Sequence, residues 1–123
     1  MSTTINLFRN EPDGKRFQAG ETIFSKGDVG DVMYAIQSGE VEITLDGSVI
    51  DVHGPGAIFG EMALIDDHPR SATATARTDC VVVPISQQRF EFLVQQTPHF
   101  AINVMKVMVE RMRRRLSTLS AGL

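Results

Sequence analysis

Between Lys15 and Ile85 the apolar positions fall in short β-branched runs broken by glycines and acidic turns; from Ser86 to Leu119 they recur at helical spacing without any glycine. The pattern predicts a β module followed by helices. The expected strands are Arg16–Gln18, Thr22–Ser25, Val32–Gln37, Glu40–Leu45, Val49–His53, Ala72–Ala76 and Val81–Ile85. Polar and apolar residues alternate strictly from Glu40 to Leu45, which puts Val41, Ile43 and Leu45 on the buried face of a half-exposed strand. Asp46-Gly47 then closes a hairpin, because this pair tolerates the positive φ angles of a two-residue turn. Short strands at this spacing predict an antiparallel barrel, roll or jelly roll.

Ser86 is suited to cap a helix that runs through Phe90 and Leu93 toward Gln96, and Thr97-Pro98 opens another. In the last helix Ile102, Met105, Val109, Met112, Leu116 and Leu119 follow alternating steps of three and four, the spacing of a coiled-coil seam. Val104, Val107 and Met108 add a second apolar face. A helix apolar on two sides needs two packing partners, so one face is expected to meet the β module and the other to offer a homodimer contact.

Length and charge narrow the reading. The chain has 123 residues, 12 Lys plus Arg against 15 Asp plus Glu, a net charge of −3, and one Cys. These values predict a single domain over residues 1–123 and argue against a generic nucleic-acid-binding surface. The charge is unevenly distributed: residues 1–98 hold 7 Lys plus Arg against 14 Asp plus Glu, whereas residues 99–123 hold 5 against 1. No apolar run approaches the length of a membrane span and the start lacks a secretory pattern, so a cytoplasmic location is expected. Cys80, inside an apolar run, reads as a buried inert thiol.

The chemistry concentrates between Phe59 and Ala76. Gly60 precedes Glu61-Met62-Ala63-Leu64, a stretch able to form one helical turn whose free N–H groups attract an anion, and Gly60 lets a phosphate approach the backbone. Arg70, after Pro69, offers a guanidinium fork suited to phosphate. One arginine and one helix end suit a single negative charge, as a cyclic phosphodiester carries without a metal. Glu61, an acceptor-only carboxylate, is ill placed against phosphate but well placed to accept from a ribose hydroxyl.

These residues carry a family resemblance. Phe59 to Leu64, followed by Pro69, Arg70, Ala72 and Ala76, resembles the F-G-E-x-A-L and P-R-x-A-x-x-x-A cassette of the cyclic nucleotide-binding domain. That family includes bacterial catabolite-activator-type regulators, kinase regulatory subunits and cyclic-nucleotide-gated channels. Phe17 to Phe24, Gly27-Asp28, Met33-Tyr34 and Ser38 to Val41 are similar to its upstream pattern, so the resemblance spans most of residues 15–119. It implies a mainly β fold, an antiparallel double-stranded β-helix or jelly-roll-like β-roll over about 15–85, with C-terminal helices over about 86–119. It further implies that Glu61 receives the ribose 2′-hydroxyl, and that Arg70, Ser71 and the backbone of Gly60, Met62 and Ala63 hold the cyclic phosphate. The base is expected between the β-roll wall and the last helix. Aligning Pro98 with the family's proline brings Arg115 and Leu116 to the base-contacting positions, where the bacterial activator has small hydroxyl residues; Arg111 falls where an arginine could reach Glu61. Ser71 resembles cyclic-AMP-binding members more than cyclic-GMP-selective ones.

Other features read more plainly. Asp66, Asp67 and His68 are adjacent turn residues that do not converge as metal ligands, and Gly54, Gly56 and Gly60 miss the dinucleotide-binding spacing by one position. His53 and His99 have no suggestive neighbours, and the run Arg111, Arg113, Arg114 and Arg115 reads as a solvated helix end. No catalytic constellation presents itself, so no enzyme and no cofactor beyond the nucleotide ligand is expected. The expected protein is a stand-alone cyclic AMP or cyclic GMP sensor that acts through its last helix on an effector protein. The alternatives are a catabolite-activator-type transcription regulator or a regulatory part of a channel or kinase system. Four residues after Leu119 cannot form a helix-turn-helix, so no DNA-binding domain and no direct nucleic-acid contact are expected.

Overall fold

The computed structural model describes residues 3–121, with side chains through residue 118. The strands are β1 (Lys15–Phe17), β2 (Thr22–Phe24), β3 (Val32–Ser38), β4 (Val41–Leu45), β5 (Ser48–His53), β6 (Ile58–Phe59), β7 (Thr73–Ala76) and β8 (Cys80–Ser86). The single turn α1 (Met62–Ile65) separates β6 from β7, and α2 (Gln87–Gln96) and α3 (His99–Ala121) follow β8. Two four-stranded sheets form, in the orders β1-β8-β3-β6 and β2-β7-β4-β5, with every pairing antiparallel. The β4–β5 hairpin closes as its Asp-Gly pair demands, with φ of 51° at Asp46 and 85° at Gly47.

In the first sheet β3 and β8 are buried on both faces, which explains the unbroken apolar run of β8. Cys80 and Val82 join Ile36 of β3, Val41 of β4 and Ala74 of β7 in a core between the sheets. Val83 and Ile85 instead join Met33 and Ala35 of β3 in a second core beneath the helices. Pro84 lies beyond the part of β8 paired with β1, so its missing N–H costs no bond to that strand. β6 was not expected as a separate strand. Ile58 and Phe59 pair with Ala35 and Tyr34, and both are fully buried, so two residues offer no polar alternation to read.

The helices dock on the second core. Ser86 Oγ accepts the Arg89 N–H at 3.2 Å and caps α2. Phe100, Val104 and Val107 turn the buried face of α3 toward Ile85 and Ile58. The N-terminal segment, for which sequence pattern predicts no element, closes the same core: Ile5 and Phe8 are buried, and Phe8 meets Phe100 edge-on at 6.1 Å. Thr3 donates from its N–H and its hydroxyl to the Glu110 carboxylate, at 2.8 and 3.0 Å, tying this segment to α3. The other face of α3, with Ile102, Met105, Val109, Met112 and Leu116, stays exposed. Leu119 lies outside the described side chains.

Candidate functional site

β6 ends at Gly60, whose φ of 75° turns the chain into α1. Its absent side chain also makes room, since a Cβ there would sit 2.7 Å from Arg70 Nη1. Gly30 leaves space on the opposite side, where a Cβ would sit 2.6 Å from Arg70 Nε. Between these glycines Arg70 is 6% exposed; Nη1 donates to Gly60 O at 2.9 Å and Nη2 to Val32 O at 2.6 Å. Its Cζ lies 4.1 Å from the Phe24 ring centroid, above an aromatic group completed by Tyr34 and Phe59. Nε is buried with no hydrogen-bond partner in the chain. Burial draws the Arg70 pKa below its ordinary value, opposed by Tyr34 and Asp31. The guanidinium is thus fixed, desolvated and one acceptor short of satisfied.

Glu61 occupies the N-cap position of α1 and is 5% exposed. Arg111 of α3 donates to Glu61 Oε1 through Nη1 at 2.7 Å, and through Nη2 to Ile58 O. No hydrogen bond among the described residues takes up the N–H groups of Met62 and Ala63. The start of α1 therefore offers free donors beside a buried arginine and a buried carboxylate.

The arginine run on α3 is not simply a solvated helix end. Arg111 is held by Glu61, and Arg114 and Arg115 approach the Asp51 carboxylate of β5 at 3.7 and 3.5 Å. His53, expected to have no suggestive neighbours, is 7% exposed and lies 3.9 Å from Asp51. Burial and the nearby Arg111 lower its pKa to about 4, with Asp51 opposing. The reason these neighbours were not foreseen is distance in sequence: β5 and the end of α3 meet only once α3 has docked.

Gly60, Glu61, Met62, Ala63, Arg70, Ser71, Arg111 and Arg115 all line one cavity of about 750 Å³. Its floor is Ile43, Leu45 and Ile50 of the second sheet, and its roof is Met105, Met108, Val109 and Met112 of α3. Ile43 and Leu45, expected on the buried face of their strand, are partly buried and line this cavity, and Ile43 also packs against the core between the sheets. The exposed apolar face of α3 has the same explanation in part, because Met105, Val109 and Met112 face this cavity. Asp51 and His53 are the wall residues that sequence reasoning missed; the one signal available was a carboxylate within the apolar strand Val49–Val52. The arrangement can hold a ligand with an anion at Arg70, a hydroxyl at Glu61 and a flat apolar body between sheet and helix. Among the described residues no three His, Cys, Asp or Glu side chains cluster as a metal site, and no helix is long and apolar enough to cross a membrane.

The family profile of the cyclic nucleotide-binding domain matches residues 14–97. The chain is 37% identical over 89 residues to a cAMP-dependent protein kinase regulatory subunit of Eremothecium gossypii, covering 72% of this chain and 19% of that protein. It is 31% identical over 103 residues to a CRP-like cAMP-activated global transcriptional regulator of Mycobacterium tuberculosis, covering 80% of this chain and 46% of that protein. Both relatives are therefore more than twice as long as the segment they share with this chain. The solved structure of Thermus thermophilus catabolite activator protein superposes with a TM-score of 0.77 at 28% identity, over 94% of this chain and 62% of that one. Profile, relatives and fold agree with the cassette that the cavity displays, and the chain belongs to the cyclic nucleotide-binding domain family.

Proposed function

We propose that the 750 Å³ cavity binds a cyclic purine mononucleotide, with cyclic AMP preferred over cyclic GMP. Arg70, the N–H groups of Gly60, Met62 and Ala63, and the Ser71 hydroxyl hold the cyclic phosphate. Glu61 accepts the ribose 2′-hydroxyl, and Arg111 steadies that carboxylate. The purine lies between Ile43, Leu45 and Ile50 below and the methionines of α3 above, with Arg115 at its edge. The observation that carries this reading is that Arg70, buried and with its Nε unpartnered, and Glu61 line one cavity whose floor and roof are apolar. Ser71 and the names of the two relatives, cAMP-dependent and cAMP-activated, support the preference for cyclic AMP.

The protein acts as a cytoplasmic binding module rather than an enzyme. The ligand completes the contact between α3 and the β-roll and so biases the position of that helix toward or away from an effector protein. The exposed ridge Ile102 and Leu116 beside the cavity roof extends the same face toward a second copy of the chain. A second reading, the sensor of a larger catabolite-activator-type regulator, channel or kinase assembly, draws support from the greater length of the relatives.

Calorimetry with cyclic AMP, cyclic GMP and 5′-AMP on wild type and Arg70→Ala tests the proposal. Cyclic AMP is expected to bind one per chain, cyclic GMP more weakly and 5′-AMP least, with Arg70→Ala losing at least about a hundredfold, as befits a buried charge-assisted contact. Heat from neither cyclic nucleotide at high micromolar protein overturns it.

A further inference from the structure

We propose that His53 is a proton-operated release for α3, through which acidification weakens ligand binding in the cavity; this rests on the binding reading above. His53 lies at the end of β5 on the wall shared by two cavities. One is the proposed nucleotide site; the other, of about 150 Å³, lies between β5, the N-terminal segment and α3. The imidazole is 7% exposed and no hydrogen bond within the described chain reaches it.

The charges around it are one-sided. Its own strand supplies Asp51 at 3.9 Å, and its cross-strand partner on β4 is the apolar Val41. From α3 come Arg111, Arg114 and Arg115, with Glu110 at the rim of the smaller cavity. Among the described residues, the N-terminal segment lines the smaller cavity with the uncharged Thr3 and Thr4. Glu61 pairs with Arg111 and Glu110 accepts from Thr3, and the carboxylate that opposes the arginines at His53 is Asp51. A proton on His53 therefore adds a fourth positive group to a site with Asp51 as its near counter-charge.

Burial, then Arg111, hold the His53 pKa at about 4 against the ordinary 6.5, so the ring is neutral at pH 7 while α3 is docked. Lifting the end of α3 removes the cover and all three arginines together, and the ring then takes up a proton near its ordinary pKa. By linkage the proton favours the lifted helix, and lifting strips Met105, Met108, Val109 and Met112 from the nucleotide cavity. Full recovery of the ordinary pKa sets the ceiling: a shift from about 4 to 6.5 weakens binding by up to about thirtyfold between pH 7.5 and pH 5. The cyclic phosphodiester stays singly charged throughout that range and contributes no slope.

The test is calorimetry with cyclic AMP at pH 7.5, 6 and 5 on wild type, His53→Gln and Arg114→Gln, with circular dichroism at each pH. Wild type is expected to lose affinity with acid while folded, His53→Gln to show a nearly flat profile, and Arg114→Gln a shallower one than wild type because part of the positive field is gone. Arg114 is half exposed, so that variant decides the matter even where His53→Gln fails to fold. Equal slopes in wild type and Arg114→Gln, equal slopes in wild type and a folded His53→Gln, or loss of the β signal of wild type at pH 5 overturn the proposal. Hydrogen-exchange protection of α3 without ligand reads the same release independently. Loss of that protection at pH 5 in wild type but not in His53→Gln upholds the proton-operated release of α3 even if no cyclic nucleotide binds, in which case the effect on binding falls with the binding reading.

Discussion

Replacing Arg111 by methionine keeps much of the aliphatic stem but removes two donors, one to Glu61 Oε1 and one to Ile58 O. The Glu61 side chain is 6% exposed, and no other side chain of the described residues donates to it, so the variant leaves a buried carboxylate alone. Breaking a buried pair in this sense costs roughly 3–5 kcal/mol. Glu61→Gln is expected to cost only about 1–2 kcal/mol, because the amide oxygen still accepts from Arg111. The double variant should be less damaged than the sum, with a coupling of about 2 kcal/mol. Urea unfolding followed by circular dichroism suits a chain without tryptophan. At a typical slope of about 1.5 kcal/mol/M, Arg111→Met should lower the midpoint by roughly 2 M or more. A loss below about 1 kcal/mol, or strict additivity, would show that the pair behaves as an exposed one and that α3 is not fastened to the cavity at Glu61.

Gly30→Ala places a Cβ 2.6 Å from Arg70 Nε and 2.8 Å from Ala63 Cβ. It should destabilise by about 1–3 kcal/mol and, by displacing the guanidinium, weaken cyclic AMP binding at least about tenfold in calorimetry. Gly47→Ala, at a φ of 85° with open space around it, should strain the turn and leave binding unchanged. Because the His53 pKa is lowered to about 4 in the folded chain, the unfolded chain takes up its proton first as pH falls. The stabilising contribution is complete above about pH 6.5 and lost progressively down to about pH 4, at most about 3 kcal/mol. Urea midpoints at pH 7.5 and 4.5 should therefore converge in His53→Gln relative to wild type.

The parts of the molecule legible in sequence are those whose signal is local. Alternation marked β4, Asp46-Gly47 marked its hairpin, Ser86 marked the start of α2, and the cassette around Glu61 and Arg70 carried its own spacing. Where burial is two-sided or contacts are distant in sequence, the pattern is silent. Ile58 and Phe59 form a strand too short to show a period, and Ile5 and Phe8 complete a core from a segment without regular structure. Periodicity found the apolar ridge of α3 but not its neighbour; Met105, Val109 and Met112 roof a cavity, and the ridge therefore reads differently from a pure subunit seam. Likewise the basic run looked like a solvated end because Asp51 and Glu61 lie 50 residues or more upstream of the arginines they meet.

The central claim is that one cyclic nucleotide sits against α1 and Arg70 and beneath α3. Backbone amide spectra of the labelled chain titrated with cyclic AMP test it most directly. The largest shifts are expected at Gly60, Met62, Ala63 and Ser71, with a second group from Met105 to Met112, all saturating at one ligand per chain. Saturable shifts confined to other surfaces, or none at millimolar cyclic AMP, would contradict it.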